Sequence, residues 1–349
     1  MKKVKVAIIG ASGYTGVELI RILLNHPHVK ILSLIANNSA GQKISQLYPH
    51  LIHFNLPEIQ KIEEVDFSQI DVVFGCLPHT TSQQTFKELL SKSKNSHLKI
   101  IDLSADFRLE NPSDYKLWYE HEHNATELQH KASYGLTEIY RDKIKKSSLI
   151  ACPGCYPTSV LLPLVPLVRN NLIDPNSIII DSKSGTSGAG RNLKLNNLFC
   201  EINESVKAYS IANHRHIGEI EQELSKAGEQ QIKIEFTPHL LPINRGIIST
   251  IYIKINEKYK VSDLQNCLSK TYDDEFFVEV IAGEPNIKSV VGTNLCLIAV
   301  KQGRQSNHAI IVSVIDNLCK GASGQAVQNM NLIFGFDENE GLKIAPIFP

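Results

Sequence analysis

A cysteine just ahead of an apolar, helix-forming run is the residue of this chain best placed for covalent chemistry. Cys155 lies in Ala151-Cys-Pro-Gly-Cys-Tyr-Pro-Thr-Ser159 and precedes the apolar segment Val160–Val168. Pro157 suits the first turn of a helix, and the positive end of that helix favours thiolate over thiol. A thiolate attacks acyl carbon, so the position suits a thioester intermediate. Cys152 and Cys155 also form a C-x-x-C, which could be a redox pair or half of a zinc site. Zinc needs two further ligands, and Cys76, Cys200, Cys267, Cys296 and Cys319 are isolated along the chain. Nucleophile, redox or metal pair, and inert structural cysteine all stay open on local spacing, and no metal is expected.

His214-Arg215-His216 precedes a short helical pattern, Ile217–Leu224. Either histidine could exchange a proton near neutral pH, and spacing does not choose between them; a packing or surface role is the alternative. Ser184-Gly-Thr-Ser-Gly-Ala-Gly-Arg191 is a glycine-rich loop after a strand. There Ser187 and Gly188 would offer donors around phosphate or nicotinamide, with Arg191 adding charge; a flexible turn is the plainer reading. Arg108, in Asp106-Phe-Arg108, follows the strand Lys99–Leu103 at the sheet edge where ligands of parallel sheets bind. Its guanidinium fork could anchor an acyl phosphate or carboxylate, or simply form a surface ion pair.

The elements that must position these groups begin with a short apolar strand, Val4–Ile9. Gly10-Ala-Ser12-Gly13-Tyr14-Thr15-Gly16 follows as a G-x-x-G-x-x-G loop, and Val17–Asn25 carries Val17, Ile20, Leu23 and Leu24 on one helical face. Between strand and helix, such a loop allows close backbone approach to a pyrophosphate at the helix N-terminus. An NAD site usually places an acid about 20 residues on, for the ribose 2′-hydroxyl. No acidic residue occurs from Val29 to Gln46, which instead offers Asn37, Asn38, Ser39 and Lys43. That set suits a 2′-phosphate, so NADP(H) is the expected cofactor.

Strands at Val29–Ile35, Asp71–Leu77 and Lys99–Leu103, with a helical segment at Gln83–Ser91, predict a doubly wound parallel sheet over residues 1–150. Residues 151–317 change character. Runs at 178–181, 232–236, 247–255, 276–280, 295–300 and 309–315 are β-rich, and Ile251, Ile253 and Ile255 alternate around Tyr252 and Lys254. A mostly antiparallel sheet is expected, one face packed and the other free for helices or another subunit. The final stretch, 318–349, contains a helical segment at 325–334 expected to return to the first domain.

The 36 basic and 36 acidic side chains of these 349 residues balance, so there is no global attraction to nucleic acid or anionic membrane. The run Val6–Ile9 is too short for a signal peptide, and no stretch approaches the roughly 18 apolar residues of a membrane span. Seven cysteines without disulfide-like spacing fit a reducing compartment, so cytoplasm is expected.

Taken together these motifs resemble the N-acetyl-gamma-glutamyl-phosphate reductases of arginine biosynthesis, a branch of the semialdehyde dehydrogenases. The likeness runs through GASGYTG at 10–16, DLSADFRL at 102–109, YGLTE at 134–138, CPGCYPT at 152–158, SGTSGAGR at 184–191, HRH at 214–216, PHLLPINRGI at 238–247 and GTNLC at 292–296. The closing KGASGQAVQNMNLIFGF at 320–336 is especially specific. The resemblance implies a Rossmann-type NADP-binding domain, an α+β catalytic and oligomerising domain, and a C-terminal helix rejoining the first. It implies Cys155 as nucleophile with Cys152 a bystander, His214 or His216 as acid–base, Asn317 as the nicotinamide contact, and a homodimer or homotetramer. Thr137, Thr80 and Gly218 stand where the family usually has proline, glycine and proline. The same chemistry on a one-carbon-longer aminoadipyl phosphate, as in lysine biosynthesis, and a non-catalytic NADP-sensing regulator are the competing functions.

Overall fold

The computed structural model describes residues 3–93 and 95–348 and divides into two compact units. Met1 and Lys2, at the basic start of the sequence, lie outside the described residues. Met1–Pro153 with Ala322–Lys343 forms the first unit; Gly154–Gly321 with Ile344–Pro349 forms the second.

The first unit is built on seven parallel strands: β1 (Val4–Ile9), β2 (Val29–Ile35), β3 (Ile59–Gln60), β4 (Val72–Gly75), β5 (Lys99–Asp102), β6 (Ser133–Tyr134) and β7 (Leu149–Ala151). Their order is β3-β2-β1-β4-β5-β7-β6. The central strands are apolar on both faces, with Val6, Ile8, Val72, Phe74 and Ile101 buried on one and Ala7, Val73 and Ile100 on the other, as a sheet covered on both sides requires. The strand order reverses at β1, which puts the loop after β1 in the crevice where doubly wound sheets take ligands.

The segment joining this unit from the far end of the chain is 322–343, shorter at both ends than the expected 318–349. Leu318 and Cys319 donate their N–H groups to Asp316 (2.8 and 3.1 Å) and Ile347 donates to Val291 O (3.2 Å), which keeps both flanks with the second unit. The helix Gly324–Phe334 buries Gln325, Gln328, Asn329 and Asn331, polar side chains that need partners. Asn329 donates to Gly135 O (2.9 Å), and Asn331 donates to Glu338 O and Glu340 O (3.0 and 2.9 Å). The Thr137 hydroxyl donates to Asn329 Oδ1 (2.8 Å) and accepts from Gln325, two bonds a proline at 137 could not make. The specific character of the closing motif therefore reflects a helix whose buried amide side chains have specific hydrogen-bond partners.

The second unit holds β8 (Ile179–Gly185), β9 (Lys207–Ala208), β10 (Glu235–Leu241), β11 (Ile247–Lys254), β12 (Val278–Val280), β13 (Cys296–Gln302) and β14 (His308–Ile315). The order is β12-β13-β14-β11-β8-β10-β9; β8 with β10 and β12 with β13 run parallel, and the other neighbours are antiparallel. Along β11, Ile247, Ser249, Ile251 and Ile253 are buried, while Tyr252 and Lys254 are exposed, the period-2 pattern of a half-covered sheet.

The covered face takes the helix Cys155–Arg169, which packs on β11 and β14 and also meets the helices His216–Gly228 and Val261–Tyr272. Every residue from Tyr156 to Val168 is buried, although Pro163 and Pro166 lie inside the helix. Pro166 has no N–H for the carbonyl of Leu162, one turn earlier. The Tyr272 hydroxyl donates to that carbonyl instead.

Candidate active site

The first unit supplies a cofactor cradle. Gly10 N–H and Ala11 N–H donate to Ile35 O (2.8 and 3.1 Å), binding the loop after β1 to the end of β2. Gly10 has φ +84°, and a Cβ there would lie 2.2 Å from Cys76 O, so only glycine fits. Gly13 caps the helix Tyr14–Leu23 without a side chain, no acid sits in its first turn, and Gly16 is buried within that turn. Ser12 O accepts from Tyr48 Oη (2.9 Å), and Thr15 O from Ser323 Oγ (2.9 Å), so the loop is held from outside. Asn37 and Ser39 lie in a short helical turn directly after β2, with Asn37 exposed. A bare helix N-terminus under a collision-limited glycine turn, with amide and hydroxyl side chains but no acid at the second strand, fits a 2′-phosphorylated dinucleotide.

Beside the cradle lies a network that spacing did not disclose. Asp106 accepts from Thr80 N–H (2.6 Å), Ser82 N–H (3.0 Å), Ser82 Oγ (2.8 Å) and Tyr115 Oη (2.7 Å). Burial, with the charge of Asp106 second, raises the Asp102 carboxyl to about 7. Arg108 belongs to this inner layer. It is 8 % exposed, and it donates Nε to Cys152 O (2.7 Å) and Nη2 to Leu103 O (3.0 Å). These bonds brace the segment leading to Gly154, where the sequence had suggested an anion anchor.

The second unit supplies the nucleophile. Cys155 is the first residue of its helix and half-buried; Gly154 is the N-cap. Glu219, 1 % exposed in the first turn of the helix His216–Gly228, accepts the Gly154 N–H at 2.8 Å. One bond thereby joins the helix that starts at the thiol to the helix that starts at His216. The other thiols differ in kind: burial pushes Cys76 up and Cys152 up to about 12, so neither ionises near neutral pH. None of the seven cysteines forms a disulfide. Among the described residues no group of three or more His, Cys, Asp or Glu is placed to hold a metal ion.

The histidine pair sits in an aromatic box. The His214 and His216 rings are 4.7 Å apart, and His214 lies 5.6 Å from each of Tyr156, Tyr209 and Phe236. The Tyr156 and Tyr209 hydroxyls are bonded at 3.0 Å. Burial, aided by the Arg215 charge, lowers His214 to about 4, so it is neutral at pH 7. Its Nδ1 accepts the His216 N–H (3.2 Å), which leaves the proton on Nε2. His216 heads its helix and is buried.

Ser187 and Asn317 come together, although 130 residues apart: Asn317 Nδ2 donates to Ser187 Oγ (2.9 Å), and Asn317 Oδ1 accepts from Gly246 N–H (2.7 Å). Gly188 is exposed beside them, its Cβ position 3.8 Å from Asn317 Nδ2. Arg191 is exposed beyond Gly190. Glu219, Tyr209 and Asp316 escaped the motif reading, and Arg245 lay within the quoted PHLLPINRGI without being singled out. Only Glu219, three residues after His216 and on one helical face with it, carried a spacing signal.

Two family models divide the chain much as the geometry does. The semialdehyde dehydrogenase NAD-binding domain matches residues 5–147, and the semialdehyde dehydrogenase dimerisation domain matches 155–317. A Rhodospirillum rubrum N-acetyl-gamma-glutamyl-phosphate reductase is 50% identical over all of this chain and 99% of its own length. A probable chloroplastic counterpart from Oryza sativa is 49% identical over all of this chain and 83% of its own length. Aspartate semialdehyde dehydrogenase II from Vibrio cholerae, complexed with ASA, shares the fold with a TM-score of 0.71 at 17% identity, covering 96% of this chain and 99% of that one. The chain belongs to the N-acetyl-gamma-glutamyl-phosphate reductase family of the semialdehyde dehydrogenases.

Proposed function

We propose that this chain reduces N-acetyl-L-glutamyl 5-phosphate to N-acetyl-L-glutamate 5-semialdehyde with NADPH, the step its relatives are named for in arginine biosynthesis, through a thioester on Cys155. The observation that carries this reading is a half-buried thiol at a helix start, tied through Gly154 and Glu219 to the helix that begins at His216. Cys155 attacks the γ-carbonyl carbon; the C–S bond forms, the C–O bond to phosphate breaks, and inorganic phosphate leaves. NADPH, when bound, supplies the hydride that takes the acyl group to the aldehyde level. His216 protonates the thiohemiacetal oxygen and takes that proton back as the C–S bond breaks and the thiolate returns. His214, lowered to about 4, is unprotonated near neutral pH and carries no imidazolium proton to give; it accepts the His216 main-chain N–H and so holds the start of that helix.

Gly10, Ser12, Gly13, Tyr14, Thr15 and Gly16 hold the pyrophosphate, Asn37 and Ser39 the 2′-phosphate, and Ser187, Gly188 and Asn317 the nicotinamide. Arg191 receives the substrate's anionic groups, and Arg108 supports the nucleophile's approach segment. The unit carrying the glycine loop is the NADP-binding domain. The protein acts as a homodimer or homotetramer, supported by the dimerisation-domain match and the half-covered sheet face. It works in a reducing compartment, the cytoplasm, in keeping with its seven thiols.

The test is the reverse reaction, NADP⁺ reduction by N-acetylglutamate semialdehyde with and without phosphate, beside the aminoadipate homologue. Phosphate-dependent turnover with the first aldehyde supports the proposal. Turnover only with the longer aldehyde moves the substrate by one methylene, worth about 1–3 kcal/mol in a pocket. Silence with both from NADPH-binding protein overturns it.

A further inference from the structure

The turn Asp316–Gly321 is fastened at one end to a buried charge and at the other to the nucleophile. Asp316 is fully buried and accepts the N–H groups of Gly292 (2.7 Å), Leu318 (2.8 Å) and Cys319 (3.1 Å). Both its oxygens face Arg245, which is 23 % exposed by side chain: Nη2 is 3.0 Å from Oδ1 and Nε 2.9 Å from Oδ2. The pair combines one hydrogen bond, from Nη2 to Oδ1, with the charge of a guanidinium close to Oδ2, so it holds Asp316 both by direction and by charge. Asn317, the next residue, bridges Ser187 and Gly246. The turn closes when Gly321 N–H donates to Asp316 O at 3.0 Å, a five-residue π-type turn of the sort that gathers at functional sites. Gly321 lies so close to Cys155 that a Cβ on it would stand 2.8 Å from the Cys155 Cβ and 3.2 Å from its Cα.

We propose that Asp316, held by Arg245, is a positioning residue that keeps the Asn317 amide and the Cys155 thiol in a fixed relation through the turn 316–321. This rests on the reading of Asn317 as the nicotinamide contact and Cys155 as the nucleophile. The turn has little freedom to absorb a displacement. Its first residue is bonded from four sides, its closing residue abuts the nucleophile's carbon atoms, and an internal bond joins the two. A disturbance at either end is therefore transmitted, whereas a turn that only stabilised the fold would lower stability and leave both groups unchanged in the protein that remains folded.

The test uses the full chain with Arg245→Met and Gly321→Ala, each read at the far end. The readouts are the NADPH dissociation constant by fluorescence, and the rate of iodoacetamide alkylation at Cys155 against pH, followed on the Cys155 peptide by mass spectrometry. Arg245→Met is expected to change Cys155 alkylation about 3- to 30-fold, and Gly321→Ala to weaken NADPH binding by a similar factor. Arg245→Lys should restore most of the loss. Far-end values within twofold of the parent, with thermal stability lowered or not, overturn the proposal. If Arg245→Met does not fold, NADPH affinity in Gly321→Ala decides. Neither readout requires turnover, so an inactive parent would count against the proposed function and leave this inference standing or falling on its own.

Discussion

Replacing Thr80 by glycine should stabilise the protein, because the present residue is strained and its bonds do not depend on its side chain. Thr80 has φ +70°. Left-handed backbone costs an L-residue about 1–2 kcal/mol, and a branched Cβ is at the unfavourable end. What holds it there is Asp106, which accepts the Thr80 N–H at 2.6 Å and is itself fixed by Ser82 and Tyr115. Glycine keeps that N–H bond and relieves the strain, but frees the unfolded chain at a cost of about 0.5–1 kcal/mol. The net gain is about 0.5–1 kcal/mol, or about 1 °C in Tm for a chain of this length. Urea and thermal unfolding of the full chain would read it, with Thr80→Ala as comparator; alanine keeps a Cβ in the strained region and should gain little. A glycine variant less stable than the parent by about 1 kcal/mol or more would refute the reasoning.

Tyr272→Phe should cost about 1–3 kcal/mol by leaving the Leu162 carbonyl without its donor, and should cost much less in a Pro166→Ala background, where a main-chain N–H returns; equal costs in both backgrounds would count against this account. Gly10→Ala, with its Cβ 2.2 Å from Cys76 O at φ +84°, should destabilise by more than about 2 kcal/mol and weaken NADPH binding at least tenfold, and parent-like binding would rule out the cradle. His214, lowered by burial to about 4, binds a proton more readily in the unfolded chain. Its contribution is therefore complete above pH 6.5 and shrinks by about 2–3 kcal/mol as pH falls from there toward 4. Buried His26 and His123, also lowered chiefly by desolvation, add to the same acid-side slope, and His214→Asn should flatten it in pH-dependent urea unfolding.

Legibility differed sharply between the two kinds of feature. β1 and β2 were readable to the residue because each is a short run rich in β-branched apolar residues, interrupted only by Lys5 in the first and by Lys30 and Ser33 in the second, and β11 to within one residue because alternating isoleucines mark a half-covered sheet. The two parallel pairings in the second sheet, β8 with β10 and β12 with β13, were not, since strand direction depends on crossovers that local pattern does not encode. Cys155 and the histidines stood out through residue type and their place before helices. For Arg108 the residue type was legible but its surroundings were not: a guanidinium reads as an anion anchor, and the fold alone reveals that Nε and Nη2 donate to the carbonyls of Cys152 and Leu103. Asp316 and Arg245, 71 positions apart, and Gly321, 166 positions from Cys155, meet only in the folded chain. No periodicity could announce them.

The central claim is the Cys155 thioester, and it is tested most directly by mixing enzyme with N-acetylglutamyl phosphate in the absence of NADPH and mapping the acylated peptide by mass spectrometry. The account predicts one equivalent of acyl group on Cys155, phosphate released in equal amount, discharge as aldehyde when NADPH is added, and none of this in Cys155→Ser protein that still binds NADPH. Acylation elsewhere, or aldehyde formed by the serine variant at the parent rate, would contradict it.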